Sequence, residues 1–205
     1  MEINSIILAG GKGSRFGQDK ILEAVGHRSL LEQVISCVSP LSKGIIIVIA
    51  EERFVPEVII PQTIKVVSDI FPGKGPLGGI YTGLTASDTI YNIVVASDMP
   101  FLNPALLRHM VQVAPGYDLA IPRVDGFVEP LHAVFAKSCL PPIEKMLERR
   151  IFSVNQLLKE VKARYIDAEE IDHYDPEHLS FFNINTRADL VKARELAIDN
   201  ANDKC

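Results

Sequence analysis

Apolar runs alternate with segments of helical periodicity along most of the chain, which indicates alternating strands and helices. Strands are predicted over 3–9, 44–50, 64–68, 92–97, 119–122, 131–136 and 163–167. Helices are predicted within 21–38, from Asn103 onward, and over 78–86, 140–148, 153–158 and 187–198. Continuous Val/Ile strands that alternate with helices are typical of sheets buried on both faces, so the pattern predicts a three-layer α/β/α fold with a mainly parallel sheet. No long linker divides the chain, so one domain is predicted over 1–198, followed by a frayed tail over 199–205.

The composition narrows the classes of function. The chain has 205 residues, of which 47% are hydrophobic and 23% charged, an ordinary globular balance. Its net charge is −5 and it has no basic run, so a nucleic-acid-binding surface is not expected. No apolar run reaches the roughly 20 residues of a membrane span, and the N-terminus lacks a signal-peptide pattern. The three cysteines show no CxxC spacing, which indicates neither zinc nor a disulfide framework, and a cytoplasmic location is expected.

The first predicted strand ends in a glycine-rich turn, LAGGKGSRFGQDK at residues 8–20. Glycines let backbone N–H groups converge, and Arg15 and Lys20 add positive charge, so the turn is suited to phosphate. It is not a P-loop, because Ile6 stands where that motif needs its first glycine. It is not a dinucleotide fingerprint either, because Phe16 replaces the third glycine. A tight strand-to-helix turn with solvated charges is the alternative.

Two acidic residues directly follow later strands. Asp69 comes after the third strand and Asp98 after the fourth. Ligands of open α/β sheets bind beyond the carboxyl ends of the strands, so both residues are expected near the glycine-rich turn. Asp98 is predicted to bind Mg²⁺, for which carboxylate oxygen is a suitable ligand, although an N-cap is the alternative. For Asp69 a binding role competes with a local Asx-turn.

Asn183 and Asn185 alternate with Ile184, so an extended segment would place both amides on one side. They are predicted to bind an acceptor substrate or to support the metal, and turn chemistry before the last helix is the alternative. His132 could face the same acceptor, but a lone histidine beside apolar strand residues is more often structural.

Five segments in order carry a resemblance to a known family. They are the turn at 8–20, Asp69 with GPLGGI at 75–80, SDMPFL at 97–102, EPLHAVF at 129–135 and NINTRADL at 183–190. The set resembles the molybdenum cofactor guanylyltransferases of the MobA type, within the nucleotidyltransferases, over nearly the whole chain. The resemblance implies a Rossmann-like nucleotidyltransferase fold. The nucleotide-binding positions are then Leu8, Ala9, Gly10, Gly11, Lys20, Asp69, Gly78 and Asp98. The catalytic positions are Arg15, Lys20 and Asp98, where the job of Arg15, holding phosphate and the departing pyrophosphate, is inferred from its charge.

The resemblance also implies a reaction. GMP passes from GTP to the terminal phosphate of molybdopterin, pyrophosphate leaves, and Mg²⁺ is required. It further implies transient contact with proteins that deliver or collect the cofactor. A CTP-using transferase acting on molybdopterin or on a phosphorylated alcohol or sugar is the rival enzyme. A non-catalytic nucleotide sensor is the other rival, because the family's nucleotide-contacting Asn is missing from IAEER at 49–53.

Overall fold

The computed structural model describes residues 1–10, 23–50 and 64–202, with side chains up to residue 198. The strands are β1 (Ile3–Leu8), β2 (Ala24–Val25), β3 (Arg28–Ser29), β4 (Gly44–Ile49), β5 (Ile64–Ser68), β6 (Tyr91–Ala96), β7 (Leu119–Val124), β8 (Phe127–Val128), β9 (His132–Ala136) and β10 (Ala163–Asp167). All except the β2–β3 hairpin belong to one sheet of order β10-β7-β9-β6-β1-β4-β5, with β8 paired to β7. The pairs β6–β1, β1–β4, β4–β5 and β7–β10 are parallel, which confirms the predicted mainly parallel sheet.

Helices cover both faces of this sheet and complete the predicted three layers. They are α1 (Leu30–Val38), α2 (Gly75–Ala86), α3 (Pro104–Val113), α4 (Leu140–Glu148), α5 (Val154–Leu157), α6 (Ala168–Ile171) and α7 (Arg187–Asn202), with single 3₁₀ turns at Ser39–Leu41, Lys137–Cys139 and Leu179–Phe181. Helices α1, α3 and α6 share one apolar core with the sheet, and α2, α4 and α5 share the core on the other face. Helix α7 packs outside these layers on the small core around Val25 and Ile184.

Helix starts agree with their sequence signals. The Asn103 side chain accepts hydrogen bonds from the N–H groups of Ala105 and Leu106, as an N-cap does. At the start of α7, Thr186 and Asp189 form the reciprocal pair expected of a capping box. That helix continues to Asn202, so it extends into the segment predicted as a frayed tail.

The helix predicted over 78–86 begins three residues earlier, at Gly75, because Pro76 suits the first helical turn. Strand β9 is antiparallel to both β6 and β7, and its reversed direction is not visible in an apolar pattern. Strands β2, β3 and β8, of two residues each, are too short to show in the sequence pattern. In the ranges that the structure describes, no helix is long and apolar enough to span a bilayer.

Helix α2 lies unusually close to β1, and glycine makes this possible. A Cβ atom built on Gly83 would overlap the side chain of Ile6, and one on Gly79 would lie 3.2 Å from Leu8. Both apolar side chains come from β1, an interior strand of the sheet. The glycines of α2 therefore set the distance between this helix and the strand that leads to the glycine-rich turn.

His132 is a fully buried polar group at the start of β9. Among the residues that the structure describes, neither ring nitrogen has a hydrogen-bond partner, and the ring meets the edge of Phe181 at 5.1 Å. Burial lowers the pKa of His132 to about 4, against the partial opposing effect of its own backbone and of Asp175. The imidazole is therefore neutral at physiological pH and acts as part of the apolar layer.

We expect Gly83→Ala to lower the free energy of unfolding by about 1–3 kcal/mol, because the new methyl group overlaps Ile6 in a packed core. An unhindered Gly→Ala change inside a helix would instead stabilise by up to about 1 kcal/mol, so the sign is diagnostic. Urea denaturation of the wild type, the single variants Gly83→Ala and Ile6→Ala, and the double variant measures the coupling. Additive losses would contradict the close contact.

We expect stability to fall as the pH drops from about 6.5 to about 4, because unfolded His132 takes up a proton that the folded site resists. The contribution of His132 is fully present above pH 6.5, and up to about 3 kcal/mol of it is lost by pH 4. His132→Leu removes this group. The difference in unfolding free energy between variant and wild type should therefore change between pH 7.5 and pH 4.5, and an unchanged difference would contradict the prediction.

Candidate active site

The carboxyl ends of the parallel strands bring three predicted residues to one edge of the sheet. Register places Leu8 opposite Ala96, and the N–H of Ser97 donates to the carbonyl of Leu8 at 3.1 Å. Ala9 donates to Val48 at 2.8 Å. Gly10 and Asp98 therefore follow the ends of two adjacent strands, β1 and β6, and lie side by side.

Asp69 reaches the same edge through β5. Its N–H donates to the carbonyl of Ile49 at 2.8 Å, in continuation of the β4–β5 ladder. The predicted convergence of Gly10, Asp69 and Asp98 is thus confirmed. Gly11, Arg15 and Lys20 lie outside the described residues, and their predicted roles stay predictions.

Asp98 is half-buried just past β6, and its Oδ1 atom is shielded from solvent. Its backbone carbonyl accepts a hydrogen bond from the N–H of Ile184 at 3.0 Å. It is not the N-cap of α3, because Asn103 fills that position. The structural alternative for Asp98 therefore fails, and its carboxylate is held at the edge where a ligand of an α/β sheet would lie.

Asp69 forms the Asx-turn that the sequence offered as the alternative to a binding role. Its Oδ1 atom accepts from the N–H of Phe71 at 2.9 Å and from the hydroxyl of Thr82 at 3.0 Å. Thr82 also receives the N–H of Ile70 at 3.1 Å. Within the described part of the chain the other carboxylate oxygen, Oδ2, has no hydrogen bond. The Asx-turn and a binding role are therefore compatible, since they use different oxygens.

Gly78 is required by the loop that precedes α2. A Cβ on this residue would lie 2.8 Å from the carbonyl oxygen of Phe71. The close neighbour that the structure shows at Gly78 is thus the protein's own loop, and its predicted nucleotide contact stays a prediction. In the same loop, Lys74 places its ammonium 5.1 Å from the ring centre of Phe152.

Asn183 and Asn185 lie next to Asp98 in the fold, because the N–H of Ile184 between them donates a hydrogen bond to the carbonyl of Asp98. Ile184 is buried, whereas Asn183 is half-buried and Asn185 exposed, as their alternation predicts. The side-chain amide of Asn183 donates to the carbonyl of Phe181 at 3.0 Å, which leaves its oxygen as an acceptor. The N–H of Asn185 belongs to the start of α7, where it donates to Asp189.

A magnesium ion fits the residues present if substrate supplies most of its ligands. Within 1–10, 23–50 and 64–202, no three His, Cys, Asp or Glu side chains group closely enough to hold a metal ion. Mg²⁺ is commonly bound by one or two carboxylates, with phosphate oxygens and water completing its octahedron. The single carboxylate of Asp98 at the substrate edge is consistent with that mode.

Sequence reasoning missed Glu129 as a residue of interest. It stands in the EPLH segment between β8 and β9, where the N–H of His132 donates to its carbonyl at 3.1 Å. Its side chain is half-buried, and burial raises the pKa of the carboxyl group. The available signal was its position before a proline at the same edge of the sheet as Asp98.

Comparisons with known proteins agree with this geometry. A family model described as "MobA-like NTP transferase domain" matches residues 5–164. The "Probable molybdenum cofactor guanylyltransferase" of Pelotomaculum thermopropionicum is 35% identical over 197 residues, which cover 96% of this chain and 94% of that protein. The crystal structure of molybdopterin-guanine dinucleotide biosynthesis protein A from Archaeoglobus fulgidus matches with a TM-score of 0.82 and 29% identity, covering 97% of this chain and 100% of the other.

A more distant structure shares the fold alone. The 2-C-methyl-D-erythritol 4-phosphate cytidylyltransferase of Thermus thermophilus matches with a TM-score of 0.71 and 16% identity, over 96% of this chain and 99% of that one. The fold is thus the Rossmann-like nucleotidyltransferase fold that the sequence predicts. The family resemblance is confirmed as well: the chain belongs to the MobA-like NTP transferase family.

Proposed function

We propose that this chain transfers GMP from GTP to the terminal phosphate of molybdopterin and releases pyrophosphate. The observation that carries the proposal is the meeting of Gly10, Asp98 and the segment 183–185 at one edge of the sheet. This edge offers a nucleotide turn, a carboxylate and an amide-bearing segment in adjacent positions. Relatives that match the chain over nearly its full length are described as molybdenum cofactor guanylyltransferases, which supports the guanine and molybdopterin assignments.

The reaction needs no activated side-chain nucleophile. A phosphate oxygen of the acceptor attacks the α-phosphorus of GTP in line and forms a new P–O bond. The bond from the α-phosphorus to the oxygen bridging the β-phosphorus breaks, and pyrophosphate leaves with that electron pair. Because the acceptor is already an anion, the protein's task is to position two anions and to neutralise their charge.

Individual residues take up this task in our proposal. The backbone from Leu8 to Gly11 approaches the nucleotide, Asp69 contributes its second carboxylate oxygen, Oδ2, to nucleotide recognition, and Gly78 completes that side. Arg15 and Lys20 hold the phosphates and the departing pyrophosphate.

Beyond these, the amide oxygen of Asn183 and the side chain of Asn185 face the acceptor. Asp98 would hold Mg²⁺, which when bound neutralises phosphate charge and orients the triphosphate. The cytoplasmic location and the transient contact with proteins that deliver or collect the cofactor stay predictions.

Replacing Asp98 by Ala or Asn should lower metal-dependent pyrophosphate release by about 10²-fold or more, because the carboxylate that holds the metal is lost. The measurement is pyrophosphate release from GTP with molybdopterin as acceptor, across a magnesium titration. Asp88→Asn is a matched control, since Asp88 precedes β6 and therefore lies at the opposite end of the sheet. Near-normal turnover by the Asp98 variants would remove this residue from the mechanism.

The same assay run with GTP, CTP and ATP should give turnover with GTP and little with the other two nucleotides. A preference for CTP would favour the cytidylyltransferase alternative. Tight nucleotide binding without pyrophosphate release from any of the three would favour a sensor. Each outcome is distinct, because binding and turnover are measured on the same preparation.

A further inference from the structure

The edge that carries the active site has two halves, divided by Asp98. The residues predicted to bind nucleotide follow β1 and β5 or start α2, on the parallel side of the sheet. Beyond β6, the order continues through β9 and β7 to β10. The end of β7, the start of β9 and the end of β10 all lie at the active-site edge, because β9 runs antiparallel to its neighbours. That second half is unassigned except for the segment 183–185.

A two-stranded ribbon projects from this second half. Strands β7 and β8 pair Arg123 with Val128 and Val124 with Phe127, around a tight turn in which Asp125 and Gly126 have φ of 51° and 81°. Positive φ at both central residues is the mark of a two-residue hairpin with native twist. The ribbon thus has a defined shape, and Phe127 is the first strand residue after its turn.

Glu129 extends the ribbon by one further pair. Its N–H donates to the carbonyl of Pro122 at 3.1 Å, in the register of the two preceding pairs. Alternation along a strand therefore places Phe127 and Glu129 on one face and Val128 on the other. Val128 packs into the core that contains α2 and α4, which fixes its face.

The face of Phe127 and Glu129 lies on the same side of the sheet as Phe181, which precedes the segment 183–185. Val124, cross-strand from Phe127, packs with the opposite core, the one that contains α1 and α3. Val134 of β9 and the ring of Phe181 belong to that same core. Phe181 immediately precedes the segment 183–185, so the ribbon face and this segment share one side of the sheet at one edge.

Phe127 and Glu129 both have side chains that a bound ligand would stabilise. Phe127 is 76% exposed, which is unusually high for a large aromatic residue. The carboxylate of Glu129 is half-buried, and no group in the described ranges donates a hydrogen bond to it. Burial without such a donor costs free energy and raises the pKa of Glu129. An aromatic surface beside a half-buried carboxylate is suited to a flat ring with N–H donors along one edge.

We propose that Phe127 and Glu129 form the subsite for the pterin ring of the acceptor, with Phe127 stacking on the ring and Glu129 accepting hydrogen bonds from its amino and ring N–H groups. The inference rests on the proposed function. The 2-amino-4-oxopyrimidine edge that a carboxylate recognises occurs in both pterin and guanine. The position of Phe127 and Glu129, on the other side of Asp98 from the nucleotide turn, favours the pterin.

The test is a fluorescence titration with 6-carboxypterin, paired with a titration of GTP on the same proteins. Phe127→Ala and Glu129→Gln should each weaken pterin binding by about tenfold or more, because the first removes the stacking surface and the second a charged hydrogen-bond acceptor. GTP affinity should stay within about twofold. Glutamine keeps the size of Glu129 but replaces one acceptor oxygen by a donor.

Ile90→Ala and Glu160→Gln are matched controls. Ile90 is 70% exposed and precedes β6, and Glu160 is exposed and precedes β10, so both lie at the opposite end of the sheet. These controls should bind both ligands like the wild type.

Three results would overturn the subsite. The first is no pterin binding by the wild type, and the second is pterin binding that is unchanged in both variants. The third is a loss of GTP binding by the variants instead of a loss of pterin binding, which would assign the face to guanine. The turnover arm separates this proposal from the proposed function, since the variants should raise the KM for molybdopterin about tenfold or more and leave the KM for GTP unchanged. A wild type that binds pterin in this manner but releases no pyrophosphate would refute the transferase and leave the ring subsite standing.

Discussion

The parallel pairing of β1 with β6 is the constraint on which the site depends. Its register sets Leu8 against Ala96, so the chain leaves both strands at the same level and Gly10 emerges beside Asp98. A shift of one residue would turn every side chain of β1 to the other face of the sheet, and both faces are packed with apolar groups. Burial on both sides therefore fixes the register, and the register fixes the site. The glycine contacts of α2 with β1 hold this strand from one face.

The strands and layers could be predicted from the sequence because their signal is strong. A strand buried on both faces must be apolar at every position, and Gly44–Ile49 and Tyr91–Ala96 nearly are. Asp69 follows β5 and Asp98 follows β6, so placing both residues at one edge required only that these two strands run parallel. The prediction of a shared edge therefore rested on topology, not on any local feature of either residue.

Other features depend on contacts that a linear pattern does not contain. The antiparallel course of β9 follows from its neighbours, and nothing in its apolar sequence distinguishes it from a parallel strand. The hydrogen bond from Thr82 of α2 to Asp69 is likewise absent from any linear pattern. Glu129 was overlooked because its half-burial is a property of the folded edge. For Gly78, which the resemblance implies as a nucleotide-binding position, the close contact that the structure shows is with the protein's own loop.

The hydrogen bond from Ile184 to Asp98 joins the C-terminal segment to the loop that follows β6. The matched family domain ends at residue 164, so the segment that carries Asn183 lies beyond it while touching Asp98. A chain cut after β10 would therefore lose a backbone donor at this edge of the sheet, and the family domain by itself does not enclose the whole candidate site.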